Sequence, residues 1–232
     1  MYPAMHWDLG VIAFAVYPYI SLSILILGSI YRYLKNPYSW NSRSSEILEK
    51  GSLKYASVIF HYGIILSLIG HIGGLLVPQP LYNMIGFTEN RHMFVAIYTG
   101  ILFGWAAFIG LLLLTWRRLW QKRVFSNSSL SDLLTLLILL IVTGLGTYNV
   151  TFVAYDNVLH DIAPWLRSIL VLAPAPELLA PVPLTYKAHF IAVFTLFAFY
   201  PFSRLVHITS APVTYVYRVW ILFRRRCEGL SG

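Results

Sequence analysis

The chain has few charged residues and almost no cysteine. Asp, Glu, Lys and Arg make up 11% of its 232 residues, whereas hydrophobic residues make up 58%. A soluble domain carries roughly 25% charged residues, so this composition excludes a protein whose whole surface faces water. The single cysteine, Cys227, rules out an internal disulfide. The sequence also lacks Cys-x-x-Cys-His, which excludes covalent c-type haem attachment.

Apolar runs take the place of the missing charge. Five of them reach the length of about 20 residues that a helix needs to cross a bilayer. They lie near residues 11–31, 55–77, 93–115, 130–153 and 187–209. The first run has no basic segment before it and is too long for a signal peptide. The sequence therefore predicts an all-α integral membrane protein, one domain over residues 1–232 with five transmembrane helices.

The basic residues are distributed unevenly between the predicted loops. Of the 17 Lys and Arg residues, 14 lie in segments 32–54 and 116–129 or from residue 204 onwards, and 3 lie in the alternate loops. The net charge of +8 thus reflects membrane orientation and not nucleic-acid binding. The positive-inside rule predicts a multi-pass protein of the cytoplasmic membrane, with its N-terminus outside and its C-terminus inside.

Two segments outside the spans have distinct compositions. Residues 210–232 are expected to form a basic cytoplasmic tail that docks an acidic partner, contacts anionic lipid or only sets the topology. The outer segment 156–186 is rich in proline. Within it, residues 165–170 form either a short amphipathic helix at the membrane interface or part of a covered loop.

Four histidines lie inside predicted spans, His61 and His71 in the second and His189 and His207 in the fifth. Ionisable groups are costly in a bilayer and indicate function, although an isolated histidine can simply bond a neighbouring helix. Two pairs on two helices favour iron ligation, because bis-histidine coordination suits a haem that only transfers electrons. The other three histidines fall at ends or in loops: His6, His92 and His160.

The predicted topology places the four histidines at two depths. His61 and His207 lie near the inner face, and His71 and His189 lie near the outer face. We therefore expect two non-covalent b-type haems between the second and fifth helices. The ligand spacings of 10 and 18 residues correspond to rises of about 15 Å and 27 Å on straight helices. Helix tilt and side-chain reach must absorb the difference.

Small and basic residues accompany the expected ligands. Arg204 and Lys187 are placed to neutralise haem propionates, although interfacial snorkelling is an alternative that we favour for Lys187. Glycines permit close approach of a porphyrin to the backbone, or close packing of two helices, and the two roles can coexist. These glycines are Gly63, Gly70, Gly73 and Gly74.

Several stretches are similar to one known family. They are Phe-His-Tyr-Gly-Ile at 60–64, Gly-His at 70–71, Pro-Phe-Ser-Arg-Leu-Val-His-Ile at 201–208, Tyr-Pro-Tyr-Ile at 17–20 and the stretch 38–48. Over nearly its whole length the chain resembles the gamma subunit of respiratory nitrate reductase. The resemblance implies a dihaem cytochrome b that anchors an iron–sulfur subunit and a molybdenum catalytic subunit, and that passes them electrons from quinol. His61 and His207 would then bind the haem nearest the partner subunits.

The resemblance also implies a quinol site near the haem bound by His71 and His189. A basic residue at the start of the third span contacts quinol in the family, and Arg91 occupies that place. We expect a site formed by Gly70, His71, Arg91 and His92, with protons released outside and electrons moving inward. His92 is either a proton acceptor or, more simply, a solvated loop histidine. If the family residue is lysine, arginine replaces a titratable point charge by a fixed planar one.

Other functions fit the same sequence features. A related dihaem subunit could serve nitrite oxidation, another molybdoenzyme or sulfur metabolism, because the chain carries no molybdenum or iron–sulfur motif of its own. In a nitrate reductase, as in these related complexes, it would be the electron-transfer subunit and not the subunit that reduces nitrate or another substrate. A proton-coupled transporter with a histidine relay would be colourless. A purely structural anchor would not need four histidines inside its spans.

Overall fold

The computed structural model describes residues 9–40 and 51–209, and these residues form helices and connecting turns without any strand. The predicted basic tail 210–232, His6 and the basic residues of 41–50 lie outside the described residues. The helices, in chain order, are α1 (Leu9–Lys35), α2 (Gly51–His71), α3 (Gln79–Met84), α4 (Glu89–Trp120), α5 (Lys122–Phe125), α6 (Leu130–Tyr148), α7 (Ala163–Leu170) and α8 (Leu184–Phe199).

Four of these helices are long and apolar enough to span a membrane, and they coincide with the first four predicted spans. They are α1, α2, α4 and α6, with α2 and α6 each prolonged by one π-helical turn, Ile72–Leu76 and Asn149–Val153. A Ser129–Asp132 capping box begins α6, and it satisfies two amide groups that would otherwise lack partners. The chain is therefore a multi-pass membrane protein.

The structure differs from the prediction at the fifth predicted span, 187–209. Helix α8 runs from Leu184 to Phe199, and two 3₁₀ turns follow, Tyr200–Phe202 and Arg204–Val206. Pro201 has no N–H group for a helical hydrogen bond, and the backbone becomes extended at Ser203. Helix α8 has 16 residues and is therefore about 24 Å long. This length is less than the apolar thickness of a typical bilayer.

The long helices pack in an order that differs from the chain order. Helix α1 packs against α8, α8 against α6, α6 against α4, and α4 against α2. Among the described residues, α2 and α8 do not pack closely against each other. Helix α2 carries His61 and His71, and α8 carries His189. These two helices therefore do not pack closely together, and each packs against other helices.

The contact between α2 and α4 is the closest in the bundle and depends on glycine. A Cβ atom added at Gly63 would lie 2.3 Å from the backbone nitrogen of Ala107, and one added at Gly110 would lie 2.5 Å from that of Phe60. The two backbones therefore touch, as small residues allow in membrane helix pairs. The packing role expected for Gly63 is the one that the structure shows.

Helix α7 lies across one end of the bundle, which we call the α7 end. Its Trp165 and Ile169 are 1% exposed and belong to a cluster with Phe194 of α8. The indole of Trp165 donates to the carbonyl of Phe14 at 3.0 Å. That carbonyl lacks its usual helical partner, because the residue four positions later is Pro18. Residues 163–170 are thus an amphipathic helix with its apolar face against the protein.

Candidate functional site

His61 and His207 face each other between α2 and the segment that follows α8. Their ring centroids are 6.4 Å apart and their planes are inclined at 66°. Two imidazoles on one metal ion, each with a metal–nitrogen bond of about 2 Å, have ring centroids about 6 Å apart. The spacing of this pair therefore matches that of two axial ligands on one iron.

The backbone fixes the orientation of three of the four histidines. The Nδ1 atoms of His61 and His71 donate to the carbonyls of Ser57 and Ser67 at 2.7 Å, and His207 Nδ1 donates to Arg204 O at 2.6 Å. A carbonyl only accepts hydrogen bonds, so these contacts place the proton on Nδ1. The lone pair of Nε2 is then available to a metal, and this is the usual arrangement for metal-binding histidines.

His189 differs from the other three. Its Nδ1 atom is buried and has no hydrogen-bond partner of good geometry among the described residues. The carbonyl four residues earlier, Thr185 O, accepts from the Asn149 amide at 3.2 Å. The ring lies against Gly146, where an added Cβ atom would be 3.0 Å from its Cε1. The second predicted pair, His189 and His71, is close enough for an electrostatic interaction.

The break after Phe199 removes the spacing difficulty of the predicted pairs. A straight helix of 18 residues would carry His207 about 27 Å beyond His189. Instead α8 ends at Phe199, the backbone becomes extended at Ser203, and the ring of His207 lies 6.4 Å from that of His61. The mismatch in rise applies only to straight helices.

The two predicted propionate partners contact protein groups. Arg204 pairs with Asp132 at 2.7 Å, and Arg118 approaches the same carboxylate at 3.4 Å. The Asp132 side chain is 5% exposed, so it is a buried acid between two guanidinium groups. Lys187 Nζ donates to Ala180 O at 3.3 Å. Both basic residues therefore lie near the histidines, at opposite ends of α8.

The predicted quinol residues lie where α2, α3 and α4 meet. Gly70 and His71 are exposed at the end of α2, and an added Cβ atom at Gly70 would have no neighbour within 4 Å. Arg91 is exposed in the first turn of α4 and donates to Gly86 O at 3.4 Å. The surface of α2 at Gly70 and His71 is therefore open, and the exposed guanidinium of Arg91 lies at the start of α4.

His92 is buried, which corrects its interpretation as a solvated loop histidine. It is 5% exposed, and its Nδ1 atom lies 2.8 Å from Gln79 Oε1. Its ring packs 4.5 Å from that of Tyr82. Its Nε2 atom faces α2, 3.7 Å from the Cβ position of Gly74. The burial arises because the short helix α3 folds back over the first turn of α4.

Polar contacts connect the proline-rich segment 156–186 to the helices. His160 pairs with Glu89 at 2.7 Å, and Arg167 donates to the Leu75 carbonyl at 3.0 Å. The Tyr155 phenol donates to Asp161 at 2.5 Å, and this bond to the carboxylate raises the pKa of the phenol. The segment 156–186 is therefore part of the folded bundle.

The described residues offer paired imidazoles rather than a cluster of metal ligands. No group of three or more His, Cys, Asp or Glu side chains among them is placed to hold a metal ion. A porphyrin supplies four equatorial nitrogens itself and requires only two axial ligands. The spacing and tautomers of His61 and His207 therefore fit a haem better than a bare metal ion.

Several residues that contact the predicted site were not among the residues predicted from the sequence. Arg32, Ser131 and Asp132 contact the segment that carries His207, and Gln79 contacts His92. Only Asp132 had a local signal, since Ser129 three residues before it predicts a capping box. The other contacts join distant parts of the chain.

Comparisons with known proteins agree with this architecture. Residues 10–226 match the family described as nitrate reductase gamma subunit. The chain is 39% identical to the nitrate reductase gamma chain of Bacillus subtilis, over 94% of this chain and 99% of that protein. It is 33% identical to the respiratory nitrate reductase 1 gamma chain of Escherichia coli, over 94% and 98%. It is 25% identical to the Hdr-like menaquinol oxidoreductase cytochrome b-like subunit of Archaeoglobus fulgidus, over 86% and 76%. The chain belongs to the nitrate reductase gamma subunit family.

Proposed function

We propose that this chain is the dihaem cytochrome b subunit of a respiratory nitrate reductase. It would anchor iron–sulfur and molybdenum subunits to the membrane and deliver electrons to them from quinol. The spacing of 6.4 Å between the rings of His61 and His207 is the main support, because it equals the separation of two axial ligands. Family membership supports the nitrate reductase complex.

The chain's contribution is to hold and orient the axial ligands. Each haem, when bound, supplies a one-electron carrier whose two axial positions are filled, which leaves no site for substrate. The carbonyls of Ser57, Ser67 and Arg204 hold three imidazole rings through Nδ1. Such hydrogen bonds set the ring orientation and make the ligand more basic.

The proposed orientation makes the α7 end the outer end. This follows from the basic residues, which concentrate in the predicted inner segments. Quinol oxidised beside Gly70 and His71 would release its protons outside, while its electrons leave on the inner side. Moving one electron across the membrane changes the electrostatic free energy by about 2.3 kcal/mol per 100 mV of membrane potential. The reaction would therefore conserve energy as a proton-motive force.

Replacing His71 by alanine tests the ligand assignment. The purified complex is expected to contain two b-type haems per gamma chain, and the variant only one. The reason is that the methyl group of alanine has no lone pair with which to bind iron. The measurement is the reduced-minus-oxidised spectrum together with a chemical haem count. His207→Ala is expected to remove the other haem.

His160→Ala is the matched control, because His160 is 64% exposed and pairs with Glu89 outside the site. It should keep both haems. A colourless wild-type protein would reject the proposal and favour the transporter. Unchanged haem counts in the His71 and His207 variants would reject these histidines as the ligands.

We further propose that quinol binds beside Gly70 and His71, with Arg91 and His92 nearby. The guanidinium of Arg91 would donate to a quinol oxygen. Arg91→Gln is expected to raise the KM for a soluble menaquinol analogue about tenfold, the effect of losing one charge-assisted hydrogen bond of roughly 1.5 kcal/mol. Haem content should not change.

Arg123→Gln is the control for this experiment, because Arg123 is exposed on α5 at the opposite end of α4. Equal KM values for the two variants would remove Arg91 from the quinol site. They would leave the haem assignment intact.

A second candidate keeps the two haems but changes the partner complex. It rests on the similarity to the Archaeoglobus protein, whose name describes a menaquinol oxidoreductase. Mass spectrometry of the subunits that co-purify with this chain distinguishes the two. Nitrate reductase alpha and beta subunits would support the first proposal, and other subunits the second.

A further inference from the structure

The segment from Tyr200 to His207, here called the ligand turn, is held by side chains of two other helices. Three successive backbone carbonyls of this turn each accept a hydrogen bond from a side chain of α1 or α6. They are the carbonyls of Pro201, Phe202 and Ser203. A helix break leaves carbonyls without regular partners, and buried carbonyls need them. Parts of the ligand turn are buried, with Ser203 2% exposed and Val206 fully covered, whereas the Phe202 side chain is 63% exposed.

Arg32 of α1 supplies two of these three bonds. Its Nη1 atom donates to Pro201 O and to Ser203 O, both at 2.7 Å. The other edge of the same guanidinium donates to Ser39, from Nη2 to the carbonyl at 2.9 Å and from Nε to the hydroxyl at 3.2 Å. The planar fork of arginine suits such a double contact, and the point charge of lysine does not.

Helix α6 supplies the remaining contacts. The Ser131 hydroxyl donates to Phe202 O at 2.7 Å, and the next residue, Asp132, pairs with Arg204. The carbonyl of Arg204 in turn accepts the Nδ1 proton of His207. A continuous series of bonds therefore leads from α1 and α6, through the ligand turn, to the imidazole that faces His61.

We propose that Arg32 and Ser131 are positioning residues for the His207 imidazole, and thereby set the geometry of the inner haem. The proposal rests on the proposed function, because it assumes that His61 and His207 are axial ligands. Both residues bond the backbone of the ligand turn. They act by fixing the backbone that carries His207, whose ring plane is now 66° from that of His61.

The consequence is specific to one haem. The low-spin ferric signal of a bis-histidine haem depends on the angle between its two imidazole planes. A less firmly held ligand turn would allow the His207 ring to rotate and would alter its hydrogen bond to Arg204 O. The basicity of the His207 imidazole would then change, and with it the potential of the inner haem. His71 and His189 are attached to other segments, so the outer haem serves as an internal reference.

Arg32→Lys and Ser131→Ala in the intact complex test this inference. Arg32→Lys keeps the charge and loses the fork, and Ser131→Ala removes one hydroxyl. Both variants should retain two haems. The electron paramagnetic resonance signal and midpoint potential of the inner haem should shift, while those of the outer haem stay constant. The inner haem is identified as the one missing from His207→Ala.

The double variant sharpens the test. Because both side chains hold the same turn, their combined shift should differ from the sum of the single shifts.

Arg123→Lys and Ser126→Ala are matched controls. Arg123 is exposed, and the Ser126 hydroxyl bonds only carbonyls of its own segment.

Three results would overturn the proposal. They are unchanged inner-haem signals in the double variant, equal shifts in both haems, and loss of haem from Arg32→Lys without any shift in Ser131→Ala. If His207→Ala removes one haem while these variants have no effect, only this inference fails. If His207→Ala keeps both haems, the proposed function fails as well.

Discussion

Replacing Gly63 by alanine is expected to separate α2 from α4 and to destabilise the protein by roughly 1–3 kcal/mol, the range for overpacking a tight interface. The added Cβ atom would lie 2.3 Å from the backbone nitrogen of Ala107 and 2.8 Å from its Cα atom. These are backbone atoms, so no side-chain rotation relieves the clash. The measurement is thermal unfolding of the detergent-solubilised complex, together with the yield of chain in the membrane.

Gly70→Ala is the matched control, because it lies on the same helix and its Cβ position has no neighbour within 4 Å. Its stability should stay within about 0.5 kcal/mol of wild type. The control applies to stability only, since Gly70 belongs to the proposed quinol site. Equal stability of the two variants would show that α2 and α4 do not approach as closely as described.

Helix α8 shows what hydropathy can predict and what it cannot. The length of an apolar run predicts a span because a bilayer has fixed thickness, and the first four spans are confirmed on that ground. The fifth run, 187–209, is equally apolar, but apolar character does not require one continuous helix. Pro201, which cannot donate a helical hydrogen bond, was the local signal for the break, and it lay inside the run.

The histidine pairs were accessible to sequence reasoning because topology fixes depth. Alternating loops gave the direction of each helix, and direction placed His61 level with His207. The structure brings those two rings together, and ligation itself stays a prediction. The burial of His92 could not be predicted from the sequence, because it depends on how α3 folds back over α4.

Polar contacts between distant residues could not be predicted from a single sequence. Arg32 and Pro201 are separated by 169 positions, and no local pattern links them. Arg204 illustrates the same difficulty. Its position near His207 suggested a propionate partner, whereas its carboxylate partner, Asp132, lies on another helix. Charge alone identified the basic residue but not the group that it faces.

Asp132→Ala is expected to cost about 3 kcal/mol, the lower end of the range for breaking a buried ion pair. The carboxylate is 5% exposed and faces Arg204 and Arg118, whose side chains are 25% and 20% exposed. Partial solvation of the two guanidiniums keeps the cost from being larger. The same carboxylate also accepts the backbone N–H of Ser129 at 2.9 Å, so the variant loses the α6 cap as well.

Two further variants separate the charge from the cap. Ser129→Ala removes the hydroxyl of the capping box and should cost about 1 kcal/mol. Asp132→Asn keeps an oxygen for the cap and loses the charge, so its cost should lie between the other two. Asp156→Ala, at an exposed position, should change stability by less than about 0.5 kcal/mol. If Asp132→Ala proved no worse than Ser129→Ala in thermal unfolding of the complex, the two arginines would not depend on this carboxylate. The ligand turn would then be held without the Arg204 ion pair.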